Sequence, residues 1–222
     1  MGAYSFKNSH AIREIRKGAT LAGAIIATAL LMAPPVFAAD TGYAVTVYGG
    51  YRGGGSFTDA NTGQGLKLES NGAVSLALDL PYDAARQYQV FVSQQRTNLL
   101  LDTAASAGSS NRLGMDIYYL HFGGTFFWDG QVGKGAYVVG GLGATLFDPD
   151  QGYKSELYPS MNVGVGYQWL LGNTFVIRVE ARGYATLVNS SGGIFCSGGC
   201  VISIKGDSIG QGEAMVGVVG RF

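Results

Sequence analysis

The chain has 222 residues, 15 Lys and Arg against 15 Asp and Glu, 47% hydrophobic residues, 14% charged ones and 36 Gly. That is length enough for one domain with a sizeable core and too little charge for an ordinary water-soluble surface. It also lacks the basic stripe with which a nucleic-acid binder meets phosphates.

In chain order the first element is a leader. Lys7, Arg13, Arg16 and Lys17 precede an apolar run from about Ala19 to Ala33, followed by "PPVFAAD". A basic region, a short apolar region and small residues before a cut make a secretory signal, whereas a bilayer-spanning helix needs roughly 20 apolar residues. Cleavage is expected after Ala38, giving a signal peptide 1–38 and a mature domain 39–222. No Cys stands at the cut, which argues against a lipoprotein anchor. The leader holds four of the basic residues and Glu14, so the 15 and 15 of the whole chain become 11 and 14, and the mature domain is slightly acidic. It has no run of 18 apolar residues, so any membrane crossing must use strands.

Eight segments with period-two alternation follow. In 43–52, Tyr43, Val45, Val47 and Tyr51 oppose Thr46, Tyr48 and Arg52. In 73–80, Val74, Leu76, Leu78 and Leu80 oppose Ser75 and Asp79; in 87–95, Tyr88, Val90 and Val92 oppose Gln87, Gln89, Ser93 and Gln95. The fourth, 116–128, sets Leu120, Phe122, Phe126 and Trp128 against His121 and Thr125. The fifth, 136–147, carries no charge and its sidedness is ambiguous. The sixth, 158–171, sets Met161, Val163, Val165, Tyr167, Trp169 and Leu171 against Ser160, Asn162, Gly164 and Gln168. In 174–188 the apolar set from Phe175 to Leu187 opposes Arg178, Glu180, Arg182, Tyr184 and Thr186; in 208–222 Ala214, Val216, Val218 and Phe222 oppose Gln211, Glu213 and Arg221.

Links between segments alternate strictly. Those at about 53–72, 96–113, 148–157 and 189–207 are long and polar, while "PYDAAR", "DGQVGKG" and "GNT" are short. This is the signature of an all-β, eight-stranded antiparallel up-and-down transmembrane barrel, with short periplasmic turns and longer outer loops. Each strand then shows one face to hydrocarbon and one to a polar lumen, and closure removes the unpaired amides that lipid would not tolerate. Arg52, Asp79, Arg178, Glu180, Arg182, Glu213 and Arg221 are expected to be lumen charges, able to pair with one another. Paired glycines inside strands, such as Gly49-Gly50, fit the bends and close packing of a small barrel. Tyr43, Tyr51, Tyr167, Trp128 and Trp169 fall near strand ends, where interfacial girdles stand.

Cys196 and Cys200, in "FCSGGC", are expected to form a disulfide in an oxidising compartment, worth roughly 2 kcal/mol for so small a loop. A metal site would need two further soft ligands, and none is in view.

With its leader, eight alternating segments and terminal "VGVVGRF", the chain resembles the small eight-stranded outer-membrane β-barrels of Gram-negative bacteria, the superfamily of the outer membrane protein A membrane domain, small virulence-related barrels and the outer membrane protein W family. The resemblance implies residence in the outer membrane, contact with its lipid and lipopolysaccharide, and recognition of Phe222 by the barrel assembly machinery. It specifies architecture and not activity.

Catalytic signatures are weak. The mature domain's single His, His121, has Gly123 where lipid A deacylases of this shape carry a Ser, so a structural hydrogen bond is its expected role. "DPDQG", 148–152, faintly resembles a calcium loop, but Pro159 stands at the twelfth position. "GGLGAT" lacks phosphate-loop spacing. The expectation is a non-enzymatic barrel without cofactor or metal. Its lumen is filled by side chains, and it serves envelope integrity or an external ligand or host surface through its loops. The alternative is a narrow porin-like channel for small or hydrophobic solutes.

Overall fold

A computed structural model describes residues 42–59, 65–101, 112–150, 153–171, 175–188, 193–196, 200–205 and 208–222. The expected leader and its cut lie outside the described residues.

Twelve strands are present among these: β1 (Ala44–Gly54), β2 (Ser56–Asp59), β3 (Gly65–Leu68), β4 (Asn71–Pro81), β5 (Arg86–Leu101), β6 (Arg112–Phe127), β7 (Gly135–Pro149), β8 (Glu156–Leu171), β9 (Phe175–Leu187), β10 (Gly193–Cys196), β11 (Cys200–Lys205) and β12 (Ser208–Arg221). Eight of them close a barrel in the order β1-β4-β5-β6-β7-β8-β9-β12, all pairs antiparallel, with β12 returning to β1 from Ala44↔Arg221 to Gly54↔Gln211. Each of the eight predicted segments lies on one of these strands.

Register fixes the geometry. From Ala44, the register partners run through Asp79, Gln89, Gly123, Gly141, Asn162, Tyr184 and Gln211, and return to β1 at Gly54, ten residues nearer its outer end. Eight strands with this stagger tilt at about 40° and enclose an interior that side chains can fill.

The outward side chains form an apolar belt, with Val74, Leu142 and Val163 each 65–68% exposed. Inward positions are buried and polar: Thr46, Ser75, Gln89, Thr125, Gln168 and Thr186 are at most 3% exposed. β7, ambiguous in sequence, turns Tyr137, Val139, Thr145 and Phe147 inward and Leu142 outward. Its glycines carry no polarity, so the sidedness of this strand comes from its neighbours.

Three expectations are revised. β5 runs on to Leu101 and β6 starts at Arg112, so the second long link is shorter than 96–113. The first link contains the hairpin β2–β3, which continues β5 through Leu68↔Leu99; the last contains β10–β11, which joins β2 through Lys205↔Thr58. The barrel wall thus grows into an external sheet.

Short turns hold the periplasmic end. Asp83 caps its turn by accepting from the Ala85 and Arg86 amides, and the Arg86 side chain beside it holds its carboxyl below the ordinary value. Phe127 and Val132 donate to the Ala85 and Ala84 carbonyls, which ties the neighbouring turns together.

Candidate functional site

The polar face of β9 sets the layout of the interior. Arg178, Glu180 and Arg182 stand at successive inward positions, and each is at most 2% exposed. A buried charge without a partner costs several kcal/mol, so each must be paired or hydrogen-bonded.

Arg178 reaches Asp79 on β4 at 2.7 Å and donates to Gln168 on β8 at 3.0 and 3.1 Å. Arg182 donates to Glu180 at 2.6 Å, to Asn162 on β8 at 3.3 Å and to Gln89 on β5 at 2.9 Å, with its guanidinium over the Phe91 ring. The third pair is Arg52 on β1 with Glu213 on β12 at 2.7 Å, the guanidinium lying 4.7–4.8 Å from the Tyr184 and Tyr119 ring centres. Arg52 also donates to Ser93.

Tyrosines join these pairs. Tyr137 and Tyr48 both donate to Glu180, at 2.6 and 3.2 Å, while Tyr184 donates to Glu213 at 2.6 Å. Tyr48 accepts from Arg178 at 3.2 Å. Gln89 closes the circuit, accepting from Arg182 and donating to Asp79 at 2.7 Å. β5 and β9 lie on opposite sides of the barrel, so the Gln89–Arg182 bond crosses the interior. Glycine makes room for the large rings: a side chain at Gly166 would occupy the place of Tyr137, and one at Gly217 that of Tyr48.

Six of the seven expected lumen charges are therefore interior, as three Arg and three carboxylates in equal number. Arg221 departs from that pattern. It has inward parity, but β12 ends there, and the side chain donates to the Gly133 carbonyl at the rim at 2.8 Å. Parity could not have shown which charges pair, because Asp79 and Arg178 lie 99 positions apart. Nor did it single out Tyr48, Tyr137, Tyr184, Gln89 or Gln168, whose signal is only a polar group on the inward parity.

Apolar clusters lie at both ends of the ionic layer. Ala44, Val176 and Val219 form one at the periplasmic end, and Phe127, Tyr137 and Val139 form another with Val132. Toward the outside lie Leu68, Leu99, Met115, Ile117, Phe147 and Ile209.

His121 Nε2 is 2.9 Å from Ser160 Oγ, and both residues are buried. Among the described residues His121 Nδ1 has no partner, so no carboxylate of theirs orients this pair as in a hydrolytic triad. In the 148–152 loop, Asp148 accepts from Ser155 at 2.6 Å and Asp150 accepts from Arg96 at 3.1 Å. No cluster of metal-ligating side chains occurs among the described residues. Cys196 and Cys200 face each other in the β10–β11 ladder. Phe222 stacks on Tyr43 with ring centres 5.4 Å apart, and its amide donates to the Tyr43 carbonyl.

Among solved structures, the chain is similar to Neisserial surface protein A (NspA), with a TM-score of 0.53 and 11% identity over 81% of this chain and 97% of that one. OprG from Pseudomonas aeruginosa gives 0.48 and 10% over 82% and 96%. Ail, the attachment invasion locus protein of Yersinia pestis, in complex with the heparin analogue sucrose octasulfate, gives 0.43 and 16% over 82% and 99%. No protein-family model matches the chain, and no curated protein matches it. At 11% identity the likeness to NspA is one of fold, and the fold is that of the small eight-stranded outer-membrane barrels. A closed barrel of this fold with an exposed apolar belt is built to cross a membrane with its strands.

Proposed function

We propose that this integral outer-membrane barrel is a non-enzymatic envelope protein whose interior is closed to solutes and which acts through its surfaces. The belt anchors it among outer-membrane lipid and lipopolysaccharide. The external sheet and loops meet an external ligand or a host surface, the β10–β11 hairpin being stiffened by a Cys196–Cys200 disulfide. Phe222 serves as the signal read by the barrel assembly machinery.

The observation that carries the reading is the set of three buried Arg–carboxylate pairs, tied by tyrosines and glutamines to strands on opposite sides of the barrel. A solute crossing that layer must part guanidinium from carboxylate, and disrupting one such buried pair costs about 3–5 kcal/mol. The expected result in a planar bilayer is silence from the refolded wild type and single-channel steps from the Arg178→Ala, Arg182→Ala variant. Wild-type steps that the variant alters would make the ionic layer a solute pathway. Deleting residues 192–203 should abolish surface binding while the barrel still folds, and unchanged binding would remove the hairpin from consideration.

The second reading, a narrow porin-like channel for small or hydrophobic solutes, draws on buried polar atoms without a partner among the described residues: Arg52 Nη1, His121 Nδ1, Asn162 Nδ2 and Glu213 Oε1. These mark where a conducting interior would first open.

A further inference from the structure

The belt has one level border and one sloping border. At the periplasmic end the tilt and register put Tyr43, Arg86, Trp128 and Trp169 at a common height around the wall, three exposed aromatics and one exposed cation. At the outer end the two sides of the barrel disagree.

The ten-residue climb over eight strands is a little more than one residue per strand. Pro159, three strands from Val92 along the chain of partners, therefore stands about four residues higher than Val92, level with Arg96. By the same rule Leu157 is level with Asn98, and Leu187 lies between Arg96 and Asn98. Outward residues at this height differ sharply in chemistry. On β5 and β6 they are Arg96, its side chain 65% exposed and paired with Asp116 and Asp150, and Asn98, which donates to Glu69. Two residues lower, Gln94 donates to Tyr118. On β8 and β9 they are Pro159, Leu157 and Leu187, the two leucines 68% and 45% exposed. There polarity begins only with the Ser155–Asp148 bond.

At about 3.3 Å per residue and a 40° tilt, the polar border on the β5–β6 side lies roughly 5–10 Å below that on the β8–β9 side. Tilting the whole barrel would shift both borders together, and the periplasmic one is level. The remaining way to match both sides is a bilayer of unequal thickness around the wall.

We infer that acyl chains of the outer leaflet rise along β8 and β9 to cover Leu157, Pro159 and Leu187 and end lower along β5 and β6, at Gln94 and Arg96. This surface fits lipid, because its outward residues are uncharged aliphatics continuous with the belt below, through Met161 and Val163. The protein thereby thins the leaflet on one side, and a lipid headgroup sits beside the Arg96 cluster at a depth that is hydrocarbon on the other side.

Nitroxide labels at Leu157→Cys and Asn98→Cys test this in the mature chain, carrying Cys196→Ser and Cys200→Ser, in phosphatidylcholine vesicles, with folding checked by the heat-modifiable gel shift. The Leu157 label should show an oxygen-to-nickel collision ratio several-fold above that of the Asn98 label, although both stand at one height. Leu187→Cys with Gln94→Cys is a second pair, in which the higher site should be the more lipid-exposed. Equal ratios within each pair would overturn the inference. So would a Leu157 label shielded from both reagents, which would mean that a second protein copy and not lipid covers this crest.

Discussion

Strand β5 crosses two solvents, and its two halves obey opposite rules. In the lower half the inward side chains are Gln87, Gln89, Phe91, Ser93 and Gln95 and the outward ones Tyr88, Val90 and Val92; in the upper half Thr97 and Leu99 point inward and Arg96 and Asn98 outward. β6 does the same, with His121 and Thr125 below and Met115 and Ile117 above on the buried face. Within the bilayer the protein puts its ionic residues inside because hydrocarbon is outside. Above it, water is outside, and the same wall acquires the apolar interior of an ordinary β-protein. The difference teaches that side-chain polarity on a strand reports its surroundings at each height and not the strand as a whole.

Breaking the lower rule should have the largest effect. Arg178→Ala leaves Asp79 buried without its cation, and is expected to destabilise the refolded barrel by about 3–5 kcal/mol in urea unfolding. Replacing both members, Arg178→Met with Asp79→Leu, should restore most of that loss, which would separate the cost of an orphaned charge from the worth of the pair. Testing the upper rule, Leu99→Ala empties part of the outer cluster and should cost about 2–4 kcal/mol; if it behaved like an exposed loop residue, within about 0.5 kcal/mol, the upper interior would not be a core.

The smallest effect belongs to the periplasmic turn, outside both regimes. The Asp83 carboxyl is held below its ordinary 3.8 by Arg86, so its contribution is present above that value and lost as pH falls through the lowered one. Asp83→Asn should therefore be slightly less stable than wild type at pH 7 and indistinguishable from it in strong acid. A difference that persisted there would assign the effect to the turn amides instead.

The inversion also explains which parts of the molecule were legible. Reading for apolar residues on the outer face ended the third predicted strand at residue 95 and began the fourth at 116, while β5 and β6 continue to Leu101 and from Arg112. The misplaced ends sit where polarity changes sides. β2–β3 and β10–β11 lie wholly above that level and are only four to six residues long, so neither period nor length distinguished them from loop. Within the belt, parity assigned the faces of seven segments. It was silent on β7, where Gly140, Gly141 and Gly143 carry no side chain to read. The interior charges were visible one by one, but the Arg178–Asp79 pair depends on which strands face each other across the barrel. That follows from closure and stagger, not from local pattern.

The seam between β1 and β12 has a kinetic meaning. Ala44 pairs with Arg221 and Gly54 with Gln211, the most distant pairing along the chain in the whole sheet. Closing it carries the entropy of a loop of more than 150 residues, the kind of contact that makes folding slow. Until that seam zips, β1 offers an open edge that no shorter stretch of the chain can satisfy, and Arg52 waits for a carboxylate carried by β12. Shielding that edge during the delay is a task for something other than the chain itself.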